Sequence, residues 1–91
     1  LLTSCAAPVT TGGSSVRQIA PDAKSGCKFL AAIEVTGGLV YSSATEARRD
    51  MLNKVRNETA RLGGNAYALT EVVVERGFSL PFAQADVYVC P

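Results

Sequence analysis

Hydrophobic and polar positions follow two periods along this chain, one helical and one strand-like. From Ser42 to Asn65 the period is helical: Ala47, Met51, Val55 and Leu62, with Ala44, Leu52 and Thr59 beside them, form an apolar stripe. Arg48, Arg49, Asp50, Lys54, Arg56, Glu58 and Arg61 fill the remaining surface and are expected to face solvent. Both ends carry punctuation. Ser43 is placed as N-cap, with Glu46 three positions on completing a capping box. Gly63-Gly64 supplies the left-handed residue that ends helices, and Asn65 leaves the turn. A lone helix of this length is marginal in water, so the stripe must lie on something else.

The strand-like period flanks that helix. Cys27 to Val35 alternates, with Phe29, Ala31, Ile33 and Val35 on one face and Lys28, Leu30, Ala32 and Glu34 on the other. Ala66 to Glu75 is a second strand with two readings: Ala66, Ala68, Val72 and Val74 share one face, Tyr67, Leu69 and Val73 the other. Arg76 to Phe82 is a turn carrying three large apolar side chains, and Ala83 to Cys90 is the last strand, with Ala83, Ala85, Val87 and Val89 facing one way. Val16 to Ile19 reads as a short edge strand, followed by turn chemistry from Pro21 to Gly26.

These elements predict an α+β fold: a four-stranded mixed sheet, β-β-α-β-β, with the helix on one face. A strand–helix–strand crossover makes the two strong strands parallel. A hairpin around residues 76–82 sets the last strand antiparallel to its predecessor. A Cys27–Cys90 disulfide then places the last strand between the other two, giving the order 1-2-4-3. One detail conflicts. Cys90 falls on the opposite parity from the apolar face of its strand, whereas Cys27 shares parity with Phe29, so one cysteine lies outside regular geometry or beyond a bulge. Cys27, directly after Gly26, is the expected one.

Ninety-one residues, 47% of them hydrophobic, make one small domain for which a covalent staple is useful. The net charge of +1 gives no electrostatic footprint for nucleic acid. Histidine is absent, which removes the commonest general base and metal ligand. Three cysteines cannot form a four-thiolate zinc site, and no phosphate-binding loop opens a helix. The carboxylates are scattered; Glu71 and Glu75 share a strand face and read best as alternating surface residues. No catalytic, metal or cofactor site is expected, and no small-molecule substrate.

Cys5 stands apart from the other two cysteines, in the context Leu2-Thr3-Ser4-Cys5. An aliphatic residue, two small residues and a cysteine resemble a bacterial lipobox, in which the thiol is lipidated after a signal peptide is cut. Ala6 to Ser15 is small, polar and aperiodic, and is expected to be a flexible tether of at most ~35 Å. Residues 1–15 are thus expected to be a signal-peptide remnant and tether, and residues 16–91 the folded domain. Ala6, in the place where an aspartate retains lipoproteins in the inner membrane, points to the outer membrane.

Ser15-Val16-Arg17, Gly26-Cys27, Arg56-Asn57, Ala60, Gly63-Gly64-Asn65 and Val87-Tyr88-Val89-Cys90-Pro91 occur in this order behind the lipobox. Together they resemble the domain-of-unknown-function family numbered 4156, small bacterial lipoproteins of the YjeI type. The resemblance spans Cys5 to Pro91 and implies a lipid-anchored envelope protein without established catalytic residues. A weaker architectural likeness is to the Rcs-type outer-membrane stress sensor, although this chain lacks its long proline-rich linker and second disulfide.

The expected function is that of a non-catalytic interaction or sensor module on the periplasmic face of the outer membrane, partnered by an envelope protein or by a second copy. The alternative is an inhibitor-type lipoprotein that blocks an envelope or foreign hydrolase with the 76–82 loop. The expected working surface is the sheet face away from the helix, where Tyr67 and Tyr88 join Phe78, Leu80 and Phe82 of the loop. The same side chains serve equally as core if the loop folds back over the sheet.

Overall fold

A computed structural model describes residues 9–22, 26–38, 43–74 and 81–91. The main helix, α2, runs Ala44–Arg61, and its cap is the expected one: the Ser43 side chain accepts from the Glu46 N–H at 3.1 Å. Its other end is a Schellman turn, with Gly63 N–H donating to Ala60 C=O and Gly64 N–H to Thr59 C=O. Gly63 takes φ +87°, where a side chain is strained. Gly64 is needed for a different reason. A Cβ there would stand 2.6 Å from Val87 Cγ1 and 3.0 Å from Tyr88 O, so the turn is pressed against the strand behind it.

The other elements are a single helical turn α1 (Thr11–Ser14), β1 (Arg17–Gln18), β2 (Lys28–Thr36), β3 (Ala66–Val73) and β4 (Phe82–Val89). The α+β class, the four-stranded mixed sheet, the helix and the Cys27–Cys90 disulfide all stand as read from the sequence. β4 lies between β2 and β3, antiparallel to both, which makes those two parallel. The order, however, is β1-β3-β4-β2 and not 1-2-4-3. β1 sits on the opposite edge, parallel to β3, with Arg17 N–H donating to Asn65 C=O and Ile19 N–H to Tyr67 C=O.

The cause lies in the segment expected to be tether. Thr10 caps α1 by accepting from Gly13 N–H at 2.9 Å, and its own N–H donates to Asn57 Oδ1 at 2.8 Å. The described half of that segment, from Val9, is therefore docked on the C-terminal half of α2, where Gly12 lies against Ala60. From there the chain reaches residue 17 beside Asn65, where α2 gives way to β3. Val16 is buried in the same cluster as Met51, Val55, Tyr67, Ala83 and Ala85.

Two bulges fix which side chains meet α2. The register of β2 on β4 slips between Phe29 and Ala31, and that of β3 on β4 between Leu69 and Glu71. Each slip exchanges the two faces beyond it. The β2 bulge resolves the cysteine parity: Phe29 pairs with Tyr88 and Cys27 lies beyond it opposite Cys90, while Ala31 pairs with Val87 on the helix side. The β3 bulge resolves the ambiguity there, since Tyr67, Leu69, Val72 and Val74 all pack into the helix-side cluster.

The surface of α2 also departs from the simple stripe. Asp50, expected in solvent, is 2% exposed and lies 3.3 Å from Lys54 Nζ, which also donates to Thr36 C=O at 2.8 Å. Glu58 is paired with Arg61, three positions on. Buried Thr59 satisfies its hydroxyl on Val55 C=O at 2.7 Å.

Asn65 joins these parts. Its Nδ2 donates to Cys90 C=O at 2.8 Å and its Oδ1 accepts from Cys90 N–H at 2.7 Å, so one carboxamide serves as another ladder residue for β4. Asn65→Asp keeps the acceptor but loses the donor and sets a negative charge against a carbonyl. It is expected to cost about 1–3 kcal/mol in urea unfolding of the oxidised protein. Tyr67 gives the opposite expectation. Its ring is fully buried and its hydroxyl meets no hydrogen-bond partner among the described residues, so Tyr67→Phe is expected to raise stability by about 1 kcal/mol in the same measurement.

Candidate functional site

The structure separates the residues expected to form one partner-binding patch. Tyr67 lies on the helix side of the sheet, in the core, and so does Leu69. The bulge of β3 between Leu69 and Glu71 leaves no trace in the alternation, and it puts Tyr67 and Leu69 on the same side as Val72. Phe29 is corrected in the other direction: expected on one face with Ala31, Ile33 and Val35, it projects from the far face because it precedes the β2 bulge. Tyr88 is on the far face as expected but only 4% exposed, packed in a cluster with Ala66, Ala68 and Cys90 that Ile19 and Cys27 border. Phe82 is the first residue of β4 and half-buried, not part of the loop. Phe78 and Leu80 lie outside the described residues, as does Cys5.

Phe82 and Tyr88 are six positions apart on one strand, about 20 Å. Between them on that face come Gln84 and Asp86, with Glu34 and Glu71 paired to Gln84 from either side. Charged residues thus occupy the middle of the face expected to carry an apolar patch. Glu34 and Glu71 straddle a whole strand, roughly 10 Å apart at their backbones, and both are exposed.

What remains at the disulfide end is a small and well-supported apolar site. Phe29 is 53% exposed, and its ring meets the buried Tyr88 ring edge-on at a centroid distance of 5.8 Å. The Cys27–Cys90 bridge and the Asn65 clamp fix the strand ends on which both rings stand. An aromatic held rigid by its neighbours loses little freedom when a partner covers it, which is the property of interface anchors. The conflict in cysteine parity was the signal for this site: a bulge set between Cys27 and Ala31 turns Phe29 outward.

A second concavity runs between α2 and β2, about 950 Å³, floored by Ile33, Val35 and Ala60. Its charged wall is internally engaged, because Arg61 donates to Glu58 from Nε at 2.8 Å. That hydrogen bond holds the Glu58 carboxyl below its ordinary value and raises the Arg61 guanidinium. The stabilisation is present above the unfolded carboxylate value and lost as the pH falls through the folded one, and it is small because both groups face solvent. Among the described residues no group of three His, Cys, Asp or Glu side chains converges to hold a metal. No described helix is long and apolar enough to cross a membrane.

Comparison with known proteins returns nothing: no family model, curated protein or solved structure matches the chain. The surface itself makes a distinction that unfolding experiments can read. Phe29→Ser is expected to cost no more than about 1 kcal/mol, since half of the ring is already in water, whereas Tyr88→Ala is expected to cost about 3–5 kcal/mol.

Proposed function

We propose that this chain is the head of a lipid-anchored envelope protein that works by binding a protein partner, with Cys5 as the lipidation site. The observation that carries the binding function is Phe29, a large aromatic standing more than half in solvent on a covalently closed platform. An exposed ring so placed has no structural task that requires its exposure, and it suits a hydrophobic pocket on another protein.

The location is supported separately. A Cys27–Cys90 bridge closing a span of 63 residues contributes ~4 kcal/mol in the chain-entropy account and persists only in an oxidising compartment. The lipobox-like Leu2-Thr3-Ser4-Cys5 agrees with that compartment, and Ala6 after it favours the outer membrane, periplasmic face. Several acyl chains on one cysteine anchor stably where a single chain does not. No cofactor or small-molecule substrate enters this reading.

Two measurements test it. Cys5→Ser is expected to move the protein from the membrane fraction to the soluble one with an unchanged thermal transition; unchanged fractionation removes the anchor. A photocrosslinking residue at position 29 is expected to capture a discrete protein adduct in intact cells. One at Glu71, exposed on the same sheet face, serves as the control. Equal capture from both positions, or from neither, overturns Phe29 as the contact.

A further inference from the structure

The cations of α2 divide into two sets. Lys54 is paired with Asp50, and Arg61 with Glu58. Arg48, Arg49 and Arg56 make no ion pair or hydrogen bond with any described residue. These three lie together, around a shallow depression of about 270 Å³ formed with Leu52 and Asn53 on a single flank of the helix. Helical periodicity sets this flank opposite the one that lines the α2–β2 groove. Arg48 and Arg49 are exposed. Arg56 is partly buried, and its Nε is shielded from solvent with no acceptor. Three guanidiniums gathered around one depression, none of them paired with a described residue, suit an anion brought from outside.

Two further observations say which anion. The sheet face away from α2 carries Glu34, Glu71 and Asp86 against the single cation Arg17, so the described residues are positive on the helix flank and negative across the sheet. An extended anionic surface orients such a molecule, whereas a single small anion does not. The chain from Cys5 reaches the fold at Thr10, bonded to Asn57, and Gly12 lies on Ala60, one turn along α2 from Arg56. Four residues separate Cys5 from Thr10, five peptide steps or at most ~17 Å of chain.

We propose that the Arg48, Arg49 and Arg56 flank of α2 docks on anionic lipid headgroups of the membrane that carries the anchor, so that the head lies against the bilayer with its acidic sheet face outward. This rests on the lipid-anchor reading for its setting, but its contact is separate from the anchor. Leu52 provides apolar contact at the interface, and the three guanidiniums engage headgroup phosphates in pairs of parallel hydrogen bonds. Each such charge near an anionic surface strengthens binding roughly fivefold, about a hundredfold for three. The contact leaves Phe29, which stands on that same sheet face, turned away from the bilayer and open to a partner.

The test uses the full chain carrying Cys5→Ser, so that no lipid contributes, with vesicles of phosphatidylglycerol or of phosphatidylcholine in co-sedimentation. Binding to phosphatidylglycerol alone, weakening as salt rises, is the expected result. Arg48→Gln, Arg49→Gln and Arg56→Gln together are expected to weaken it at least thirtyfold. Should the triple variant unfold, Arg48→Gln with Arg49→Gln, both exposed, is expected to weaken it about tenfold with an unchanged thermal transition. The pair Arg17→Gln with Lys28→Gln, an equal change in net charge elsewhere, is expected to bind as the parent does. No binding to phosphatidylglycerol, equal binding to both vesicles, or equal losses from the two double variants overturns the proposal. The anchor is decided independently by fractionation of Cys5→Ser in cells.

Discussion

Cys90 is held from two directions, and the rest of the fold is arranged by that double restraint. Its sulfur is bonded to Cys27 at the start of β2. Its backbone N–H and C=O are both taken by the Asn65 carboxamide, at the point where α2 has ended and β3 begins. Asn65 N–H adds a bond to Tyr88 C=O, and Asn65 C=O receives Arg17 N–H. One residue at the end of β4 therefore ties both neighbouring strands, the helix exit and, through Asn65, the outer strand. The disulfide limits the unfolded chain and the carboxamide pair fixes the native register, so the two act on opposite sides of the folding equilibrium.

That restraint also accounts for the two bulges. Cys27 and Cys90 can meet only if both stand on the far face, yet β2 must turn Ile33 and Val35 toward the helix. Cys27, Ile33 and Val35 are all odd-numbered, so a regular strand would set them on one face. An extra residue between Phe29 and Ala31 reconciles the disulfide with the core, and Phe29 is left outside as the consequence. In β3 the same conflict arises between Tyr67 and Leu69 on one side of residue 70 and Val72 and Val74 on the other. The exposed aromatic is thus a product of the geometry that closes the sheet.

This explains which parts were legible in the sequence. Ser43, Glu46 and Gly63 act through contacts a few residues long, so both ends of α2 could be placed from local chemistry alone. The parallel relation of β2 and β3 followed from a crossover, and the central position of β4 from the disulfide. A bulge has no local signature in a run such as Phe-Leu-Ala-Ala-Ile, where either face is apolar, and it became visible only as a conflict between two cysteines. The edge chosen by β1 was illegible for another reason. It depends on Asn57 accepting from Thr10, a bond 47 residues apart made by a segment too small and polar to show any period. Asp50 likewise looks solvated by position, and is buried because Lys54 reaches both it and the end of β2.

The spacing Arg56-Asn57, Ala60, Gly63-Gly64-Asn65 can now be taken residue by residue. Asn57 receives the Thr10 amide, and Ala60 is small enough for Gly12 to lie on it. Gly63 turns the chain out of the helix, Gly64 admits Val87, and Asn65 clamps Cys90. Each of these is a requirement of architecture, set by backbone approach or a hydrogen bond within the fold. A likeness between proteins built on those residues therefore implies a shared frame and carries little information about what the frame binds. Arg56 is the exception. It makes no hydrogen bond or ion pair with any described residue, and its Nε is shielded and unsatisfied. Arg56, beside Arg48 and Arg49, is thus the position in that run for which the packing of the described residues supplies no requirement.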